Sequence, residues 1–397
     1  MRTAQSFFQD ELRELEAANL MRSMRQVSGS QGREIAVDGR KVLNFSSNNY
    51  LGLADDARIV QAAEESLRRE GFGSGASRLV CGNLSSHQQL EEVVARFKGA
   101  ERCLFFTSGY MANVGIISAL FNREDLIASD KLNHASIIDG ILLSRAENKR
   151  YPHKDMAALE EILKDGAKYR RRVIITDSVF SMDGDCAPLQ EIVALARRYD
   201  TLVMIDEAHA FGVLGENGRG LAEHLGVENE IDIQMGTLSK AAGTFGAYCC
   251  GSSSLIELVL NRARSFVYTT GLPPSVAAAG CRAVEIMTQE PERRLQLLKN
   301  ARYVYDGLKS LGFNTMDSQT PIIPVVLGGA ALCVEFSKRL MDRGIFVQAI
   351  RPPTVPVNTC RLRVTVMSTH TREDMDRLIA AFENIGKELR LIADGNS

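Results

Sequence analysis

The chain has 397 residues, of which 45% are hydrophobic and 24% are charged, and its formal net charge is −2. This length exceeds what one hydrophobic core usually supports, so we expect a large domain and a smaller one. The near-neutral charge argues against a nucleic-acid partner. The eight cysteines are scattered and form no CxxC pair, which argues against a zinc site or a disulfide framework and favours a reducing cytosol.

The N-terminal segment, residues 1–26, has helical spacing with interleaved acidic and basic residues. It lacks the continuous apolar core of a signal peptide. No stretch of the chain approaches the roughly 18 apolar residues of a membrane span. We therefore expect a mature cytoplasmic protein, with an N-terminal helix and arm over residues 1–44.

From about Glu91 onward, short apolar runs alternate with longer helical patterns. Runs that are apolar on both faces are typical of buried parallel strands, and their alternation with helices predicts an α/β domain with a mostly parallel central sheet. We assign this large domain to residues 45–285. The predicted strands lie in ERCLFFTSG, REDLIASD, RRVIITDSVFS, DTLVMIDEAHAFG, EIDIQMGTLSK and FGAYCCG.

After about residue 285 the pattern changes to a long charged helix, a few strands and a closing helix. This order predicts a smaller α+β domain over residues 286–397. Its predicted strands lie in PIIPVVL, IFVQAI and CRLRVTV.

Polar residues stand mainly after the apolar runs of the large domain, where ligands of such sheets bind. Asp206 and His209 follow the run TLVMI, and a carboxylate at the mouth of a buried strand needs a cationic or hydrogen-bonding partner. The protonated ring nitrogen of pyridoxal 5′-phosphate (PLP) is such a partner, and His209 is placed to donate to the phenolic oxygen of that ring. The alternative is an Asp that only caps the next helix.

Lys240 follows another predicted strand, in GTLSKAAGTFGAY, and its small neighbours let a flat ring lie against the backbone. An isolated lysine is usually a solvated surface charge, but these uncharged surroundings suit an amine that forms an imine. Thr237, just before it, has a hydroxyl that can bind phosphate.

The segment FFTSGYMANVGIISAL reads as strand, tight turn and helix. The amides of Gly109 and Tyr110 then form an anion site at the helix start, with an ordinary helix cap as the alternative. The segment GFGSGASRLVCG has no strand before it and does not match GxGxxG. We therefore expect no dinucleotide site there.

His134 and Ser181 also follow predicted strands. His134 is a candidate to stack on a cofactor ring and to protonate intermediates, and Ser181 a candidate to hydrogen-bond near the phenolic oxygen. A structural histidine and a plain turn serine are the alternatives. Arg361 and Arg363 share one face of a small-domain strand. Either can bind a substrate carboxylate in the interdomain cleft, unless both form a solvent-facing basic stripe.

In this order, the motifs SGY, NHASIIDG, SMDGD, DEAHAFGVLGENGRG and GTLSK resemble those of the α-oxoamine synthases, a branch of the fold-type I (aspartate aminotransferase-like) PLP enzymes. The resemblance extends from NFSSNNYLGL to RLRVTVMSTHT. Members of that family are acyltransferases that condense an amino acid with an acyl-CoA and release the amino-acid carboxylate as carbon dioxide.

The resemblance implies that Lys240 carries PLP as a Schiff base, that Asp206 faces the ring nitrogen, and that His134 stacks on the ring. Catalytic roles are implied for Lys240, His134 and His209. The other implied cofactor contacts are those of His209 and Ser181 with the phenolic oxygen and of Gly109, Tyr110 and Thr237 with the phosphate. The family forms homodimers, in which Thr270 would reach the phosphate of the neighbouring subunit.

Within the family, SFVYTTGLPPSVAAA and VQAIRPPTVPVNTCRLRVT are most similar to the members of biotin biosynthesis that condense L-alanine with a pimeloyl thioester, on CoA or on an acyl carrier protein. Two positions depart from the pattern, because Asn49 stands where many relatives have Asp and Ser239 where Gly is frequent. The positions matched to substrate contacts are Arg22, Asn48, His134, Thr354 and Arg363.

Several alternatives keep the same machinery and change the substrates: 2-amino-3-ketobutyrate CoA ligase, 5-aminolevulinate synthase and serine palmitoyltransferase. A PLP-binding regulatory module without turnover is the alternative from another class. Such regulators usually need an attached DNA-binding domain, and the segment before Asn44 has neither the length nor the basic excess for one.

Overall fold

The computed structural model describes residues 4–17 and 21–392. The helices are α1 Ala4–Ala17, α2 Ala57–Glu70, α3 Ser85–Lys98, α4 Gly109–Leu120, α5 Ala135–Ser144, α6 Met156–Lys164, α7 Leu189–Arg198, α8 Leu221–His224, α9 Ser253–Arg262, α10 Arg264–Val267, α11 Pro274–Gln289, α12 Pro291–Ser310, α13 Ala330–Asp342 and α14 Arg372–Glu388. The strands are β1 Val27–Ser28, β2 Glu34–Val37, β3 Arg40–Asn44, β4 Arg102–Phe106, β5 Asp125–Asp130, β6 Glu147–Tyr151, β7 Arg171–Asp177, β8 Leu202–Asp206, β9 Ile233–Thr237, β10 Ala247–Gly251, β11 Ile322–Gly328, β12 Ile345–Phe346, β13 Gln348–Ile350 and β14 Cys360–Thr365.

The chain divides into two compact units. The larger unit is Asn48–Lys299, and the smaller combines the described residues of Met1–Ser47 and Asn300–Ser397. The division inferred from the sequence (1–44, 45–285 and 286–397) groups the residues differently, since it treats the N-terminal segment as a part of its own and assigns residues 286–299 to the smaller domain. In the smaller unit β3 pairs with β12 in a parallel ladder, Leu43 beside Ile345, so the two ends of the chain share one sheet.

The larger unit, which is described throughout, is built on a seven-stranded sheet of order β4-β10-β9-β8-β7-β5-β6. The pairs from β9 to β6 are parallel, whereas β10 runs antiparallel to both of its neighbours. The expected mostly parallel sheet is therefore confirmed. The central strands are buried along nearly their whole length, and Ile175, Met204 and Met235 contribute to one apolar core, as expected for strands covered on both faces.

The parallel strands end at a common edge. Asp130, Asp177, Asp206 and Thr237 are the last residues of β5, β7, β8 and β9. Asp177 and Asp206 are direct partners in the ladder between β7 and β8. Strand direction and register therefore bring the polar residues that follow the apolar runs to one side of the sheet.

The smaller unit contains two sheets within its described residues. One has the order β1-β2-β3-β12 and the other the order β11-β14-β13. In the second, β14 lies in the middle and pairs antiparallel with both neighbours. Leu362 and Val364 of β14 pack into an apolar core that also includes Phe336 from α13 and Phe382 from α14.

None of the described helices is both long and apolar enough to cross a lipid bilayer.

Candidate active site

Two carboxylates lie side by side at the edge of the sheet, those of Asp177 and Asp206, and both are buried. Asp206 accepts one hydrogen bond from Asn113 Nδ2 at 2.8 Å and one from the backbone amide of Ala208 at 2.8 Å. Burial and the neighbouring charge of Asp206 raise the pKa of Asp177 well above its usual range. Two adjacent buried carboxylates resist simultaneous ionisation, so Asp177 is held back from ionising beside Asp206.

A chain of hydrogen bonds joins Asp206 to His134. Asn113 Nδ2 also donates to Ser136 Oγ at 2.9 Å, and Ser136 Oγ lies 2.8 Å from His134 Nδ1. Helices α4 and α5 approach each other closely at Gly140, where a Cβ atom would lie 3.0 Å from the carbonyl oxygen of Asn113. This close approach brings Asn113 within hydrogen-bonding distance of Ser136. Neither Asn113 nor Ser136 was predicted from the sequence as part of the site.

His134 is held from a second side, because its backbone amide donates to Asp177 Oδ2 at 2.6 Å. Desolvation of the ring lowers the pKa of His134, the charge of Asp206 opposes this shift, and the charge of Lys240 adds to it. The electrostatic influence of Asp206 and Lys240 on one imidazole shows that the structure brings all three predicted residues together. A neutral imidazole at this position can act as proton donor or acceptor.

Lys240 lies in the connection between β9 and β10, whose end residues Thr237 and Ala247 are ladder partners. Within this loop, Thr237 Oγ1 donates to the carbonyl of Gly246 at 2.6 Å and accepts from the amide of Ser239 at 3.1 Å. Gly246 has φ +103°, and a Cβ atom there would lie 2.2 Å from the ring of Phe105. Only glycine fits this turn, which closes the loop and fixes the backbone on which Lys240 stands.

The hydroxyls of Thr237 and Ser239 are 2.7 Å apart. Thr237 is buried, whereas Ser239 is exposed. The departure from glycine at position 239 therefore adds a second hydroxyl directly before Lys240. The exposed hydroxyl of Ser239 is placed to donate to an oxyanion such as phosphate, and the hydroxyl of Thr237 can do the same once its O–H turns away from the carbonyl of Gly246.

The imidazole of His209 contacts a tyrosine that was not predicted from the sequence as part of the site. Tyr50 Oη lies 2.7 Å from His209 Nδ1, and both side chains are buried. The same hydroxyl donates to Asn48 Oδ1 at 3.3 Å. Asn48, which was predicted to contact substrate, therefore helps to orient the tyrosine that contacts His209. Asn49 Oδ1 accepts from the amides of Leu53 and Ala54 at 2.9 and 3.1 Å, a role that an aspartate would also fill.

The start of α4 has the geometry expected of an anion site. Ser108 caps the helix and accepts from the amide of Met111, and Gly109 is its first residue. The phenol of Tyr110 is half-exposed and donates to Asp139, an interaction that raises the pKa of Tyr110.

Ser181 and Thr270 lie in two further loops of the larger unit. Ser181 is partly buried in the turn that follows β7, between the bridge partners Val179 and Cys186. Thr270 is exposed and forms an isolated antiparallel bridge with Ser77.

The remaining predicted substrate residues belong to the smaller unit. Arg361 and Arg363 are buried in β14, with 5% and 7% of their surface exposed, so the alternative of a solvent-facing basic stripe is wrong. Arg361 Nε donates to the carbonyl of Thr359 at 3.1 Å. Arg22 and Thr354 line one cavity of about 650 Å³, to which Arg25, Lys338 and Arg351 add three further cationic side chains.

Known proteins resemble the chain over nearly its whole length. The family model for aminotransferase class I and II matches residues 40–382. The 8-amino-7-oxononanoate synthase of Geotalea daltonii is 53% identical over 96% of this chain and 98% of its own length. The chain belongs to the aminotransferase class I and II family.

Two solved structures resemble this member of the aminotransferase class I and II family. Serine palmitoyltransferase of Sphingomonas wittichii has a TM-score of 0.94 and 32% identity, over 99% of this chain and 100% of its own. A high-resolution structure of SPT with a PLP internal aldimine has a TM-score of 0.94 and 31% identity, over 98% and 100% of the two chains. The resemblance to fold-type I PLP enzymes and to their α-oxoamine synthase branch is thereby confirmed.

The residues of this aminotransferase-family site fit PLP. Asp206 accepts from two neutral amides, and an ionised carboxylate has about four lone-pair positions, so it has capacity for a further, cationic N–H donor. A lysine, two hydroxyls and a helix start stand at the same sheet edge. These are the groups that a pyridine ring with an aldehyde and a phosphate requires.

Proposed function

We propose that this chain catalyses the reaction of the 8-amino-7-oxononanoate synthases, the PLP-dependent decarboxylative condensation of L-alanine with a pimeloyl thioester in biotin biosynthesis. The observation that carries this proposal is the buried carboxylate of Asp206, linked through Asn113 and Ser136 to His134 at a sheet edge that also holds Lys240. The 53% identity with the enzyme of Geotalea daltonii supports the choice of this reaction within the family.

PLP, when bound, supplies an electron-accepting ring that lets bonds at the amino-acid Cα atom break. Lys240 Nζ holds the cofactor and, once free, takes a proton from the Cα atom of alanine. Asp206, which is buried and accepts a hydrogen bond from Asn113, would hold the ring nitrogen and favour its protonated form. His134 is placed to return a proton or to stabilise the thioester oxygen during acyl transfer.

Further residues would position the reacting groups. Gly109, Tyr110, Thr237 and Thr270 are proposed to bind the phosphate, and His209 and Ser181 the phenolic oxygen. Arg363, with Arg361 as the alternative, is proposed to bind the alanine carboxylate through two hydrogen bonds. The cationic lining of the cavity that contains Arg22 and Thr354 favours an anionic acyl group, such as the terminal carboxylate of a pimeloyl chain.

A homodimer is part of the proposal. Phe72, Val80 and Tyr268 are more than 70% exposed and lie on the two loops that the Ser77–Thr270 bridge joins. Large apolar side chains grouped in this way mark an interaction surface, and a second copy of the chain would cover them. Replacing Tyr268 by Glu should lower the mass measured by light scattering from dimer to monomer, and an unchanged mass would contradict this assignment.

We also propose a cytoplasmic location. All eight cysteines have free thiols, which fits a reducing compartment.

The decisive experiment is a substrate panel with the purified PLP-loaded protein. Alanine, glycine and serine are each assayed against pimeloyl-, acetyl-, succinyl- and palmitoyl-CoA, and pimeloyl-CoA is compared with pimeloyl acyl carrier protein. The proposed function requires that alanine with a pimeloyl thioester gives the highest kcat/KM. A preference for serine and palmitoyl-CoA would instead support the second candidate, the reaction of the serine palmitoyltransferase whose solved structure has a TM-score of 0.94 and 32% identity.

A further inference from the structure

The imidazole of His153 lies between two carboxylates from different parts of the larger unit. Its Nδ1 is 3.1 Å from Oδ1 of Asp130, and its Nε2 is 2.9 Å from Oδ2 of Asp185. Asp130 is the last residue of β5, and Asp185 lies in the turn after β7. The ring also packs edge-on against Phe180, with 4.3 Å between the ring centroids. His153 therefore connects the end of one strand to the turn that follows its neighbour.

This geometry requires the cationic form of His153. A neutral imidazole has one N–H donor and one acceptor, so two carboxylate contacts are satisfied only when both nitrogens are protonated. Burial lowers the pKa of His153, but the hydrogen bonds to Asp130 and Asp185 outweigh burial and raise the pKa to about 9. Below that pH, the imidazolium is the donor to both carboxylates.

Further ionisable groups near His153 and its two carboxylates include Lys154, Cys186 and Tyr151, and the charge of Asp130 contributes to the raised pKa of the buried Asp177. Lys154 Nζ donates to Asp185 Oδ2 at 2.8 Å, and its backbone amide donates to Asp130 Oδ2 at 3.0 Å. Burial raises the pKa of the Cys186 thiol to about 12 and raises the pKa of the Tyr151 phenol. These two groups therefore stay neutral while His153 titrates, and Lys154 is the cation whose contribution must be separated.

The tethered turn carries Ser181. Its base is closed by the Val179–Cys186 bridge and by a hydrogen bond of 2.9 Å from the amide of Ala187 to the carbonyl of Ser178. The amide of Phe180 donates to the carbonyl of Asp185 at 3.0 Å. Because Phe180 directly precedes Ser181, a displacement of Asp185 would also move the backbone of Ser181.

We propose that His153 is a positioning residue, which bridges Asp130 and Asp185, fixes the turn of residues 178–187 to the end of β5 and thereby sets the position of Ser181. The contact of Ser181 with the cofactor rests on the proposed function, whereas the tether itself does not. A group whose pKa is raised on folding stabilises the folded form below its unfolded pKa and loses that effect as the pH rises through its folded pKa. The tether therefore weakens between about pH 6.5 and 9.

Hydrogen exchange of the cofactor-free protein tests the tether. After correction for intrinsic exchange rates, the amides of residues 178–187 should lose about ten- to a hundredfold of their protection as the pH rises through the His153 transition. His153→Gln should show the low protection at every pH, and Lys154→Gln should keep the transition. A flat profile for the unmodified chain, or a transition that disappears in Lys154→Gln and persists in His153→Gln, overturns the tether.

The visible absorbance of the PLP-loaded protein tests the link to Ser181, since hydrogen bonds to the phenolic oxygen set the pH midpoint of that band. His153→Gln and Ser181→Ala should shift the midpoint in the same direction, and the double variant should shift it no further. If exchange shows the tether but His153→Gln leaves the midpoint unchanged, the positioning of Ser181 is refuted. Failure to bind PLP would instead refute the proposed function, and the exchange experiment would still decide the tether.

Discussion

The side-chain amide of Asn113 donates a hydrogen bond of 2.8 Å to Asp206, the carboxylate that closes β8. Asn113 stands on α4, the helix that begins at Gly109. One helix therefore orients the carboxylate proposed to face the cofactor ring and also presents the amides proposed to bind its phosphate. A rigid element that carries both contacts keeps their separation constant.

Replacing Asn113 by Ala should weaken cofactor binding and turnover together. The substitution removes one of two hydrogen bonds to a buried carboxylate and breaks the link to Ser136. A hydrogen bond to a charged group contributes about 1.5–3 kcal/mol, so we expect kcat/KM to fall about ten- to a hundredfold. The measurement is the Kd for PLP together with kcat/KM, with Asn261→Ala on the exposed face of α9 as the matched control. An unchanged Kd would contradict the role given to Asn113.

Replacing Lys240 by Ala should remove covalent cofactor attachment and reduce turnover by at least about 10²–10⁴-fold. Borohydride reduction followed by peptide mapping should label Lys240 in the unmodified protein and no lysine in the variant. The control is Lys164→Ala, which removes an exposed amine paired with Glu161. A label on another lysine would be incompatible with the site described here.

Replacing Tyr50 by Phe should affect the chemistry more than the stability. The ring stays buried while the hydroxyl that lies 2.7 Å from His209 Nδ1 is lost, so the imidazole gains rotational freedom. We expect kcat to fall by about tenfold and the free energy of unfolding to fall by about 1 kcal/mol. Tyr303→Phe removes an exposed hydroxyl bound to Asp376 and should leave kcat unchanged; an equal loss in both variants would count against an anchoring role.

The smaller unit should lose stability as the pH falls because of His370. Its Nδ1 accepts from the amide of Met367 at 3.0 Å, its Nε2 donates to the carbonyl of Asn44 at 3.2 Å, and its ring stacks on Phe45. Burial lowers the pKa of His370 to about 4. The unfolded chain then binds a proton at higher pH than the folded chain, so the free energy of unfolding decreases as the pH falls from about 6.5 to 4.

Urea unfolding across that pH range measures the His370 effect. His370→Gln should show a smaller decrease in the free energy of unfolding, by roughly 2–4 kcal/mol over the range. His224→Gln, which replaces an exposed histidine of the larger unit, should keep the decrease seen in the unmodified chain. Parallel curves for all three proteins would exclude His370 as the source.

Much of the large-domain sheet could be predicted from the sequence because its strands are apolar on both faces. The run TLVMI and the run RVIIT became the buried strands β8 and β7. Strand β6 was missed because its sequence ENKRY is polar, which an edge strand tolerates. The reversal of β10 was also missed, since an apolar run carries no information about its direction.

The residues that do chemistry at strand ends were easier to predict than those that support them. Asp206 and Lys240 follow apolar runs directly and carry charge. Ser136 lies in the first turn of α5 and Asn113 in the second turn of α4, and Tyr50 precedes the seven-stranded sheet in the chain. Their contacts depend on how α4, α5 and the segment after β3 pack on the sheet. The spacing of residues along the sequence does not indicate that packing.

The reversed strand β10 gives the loop that carries Lys240 two fixed ends. In most of this sheet a connection leads from a strand into a helix and can lengthen at the surface. Here residues 238–246 connect two strands that pair with each other in the interior of the sheet, so the ladder fixes both ends of the segment. We therefore expect relatives with other substrate preferences to differ in the segments that approach the amine of Lys240. The position of Lys240 itself should stay the same in all of them.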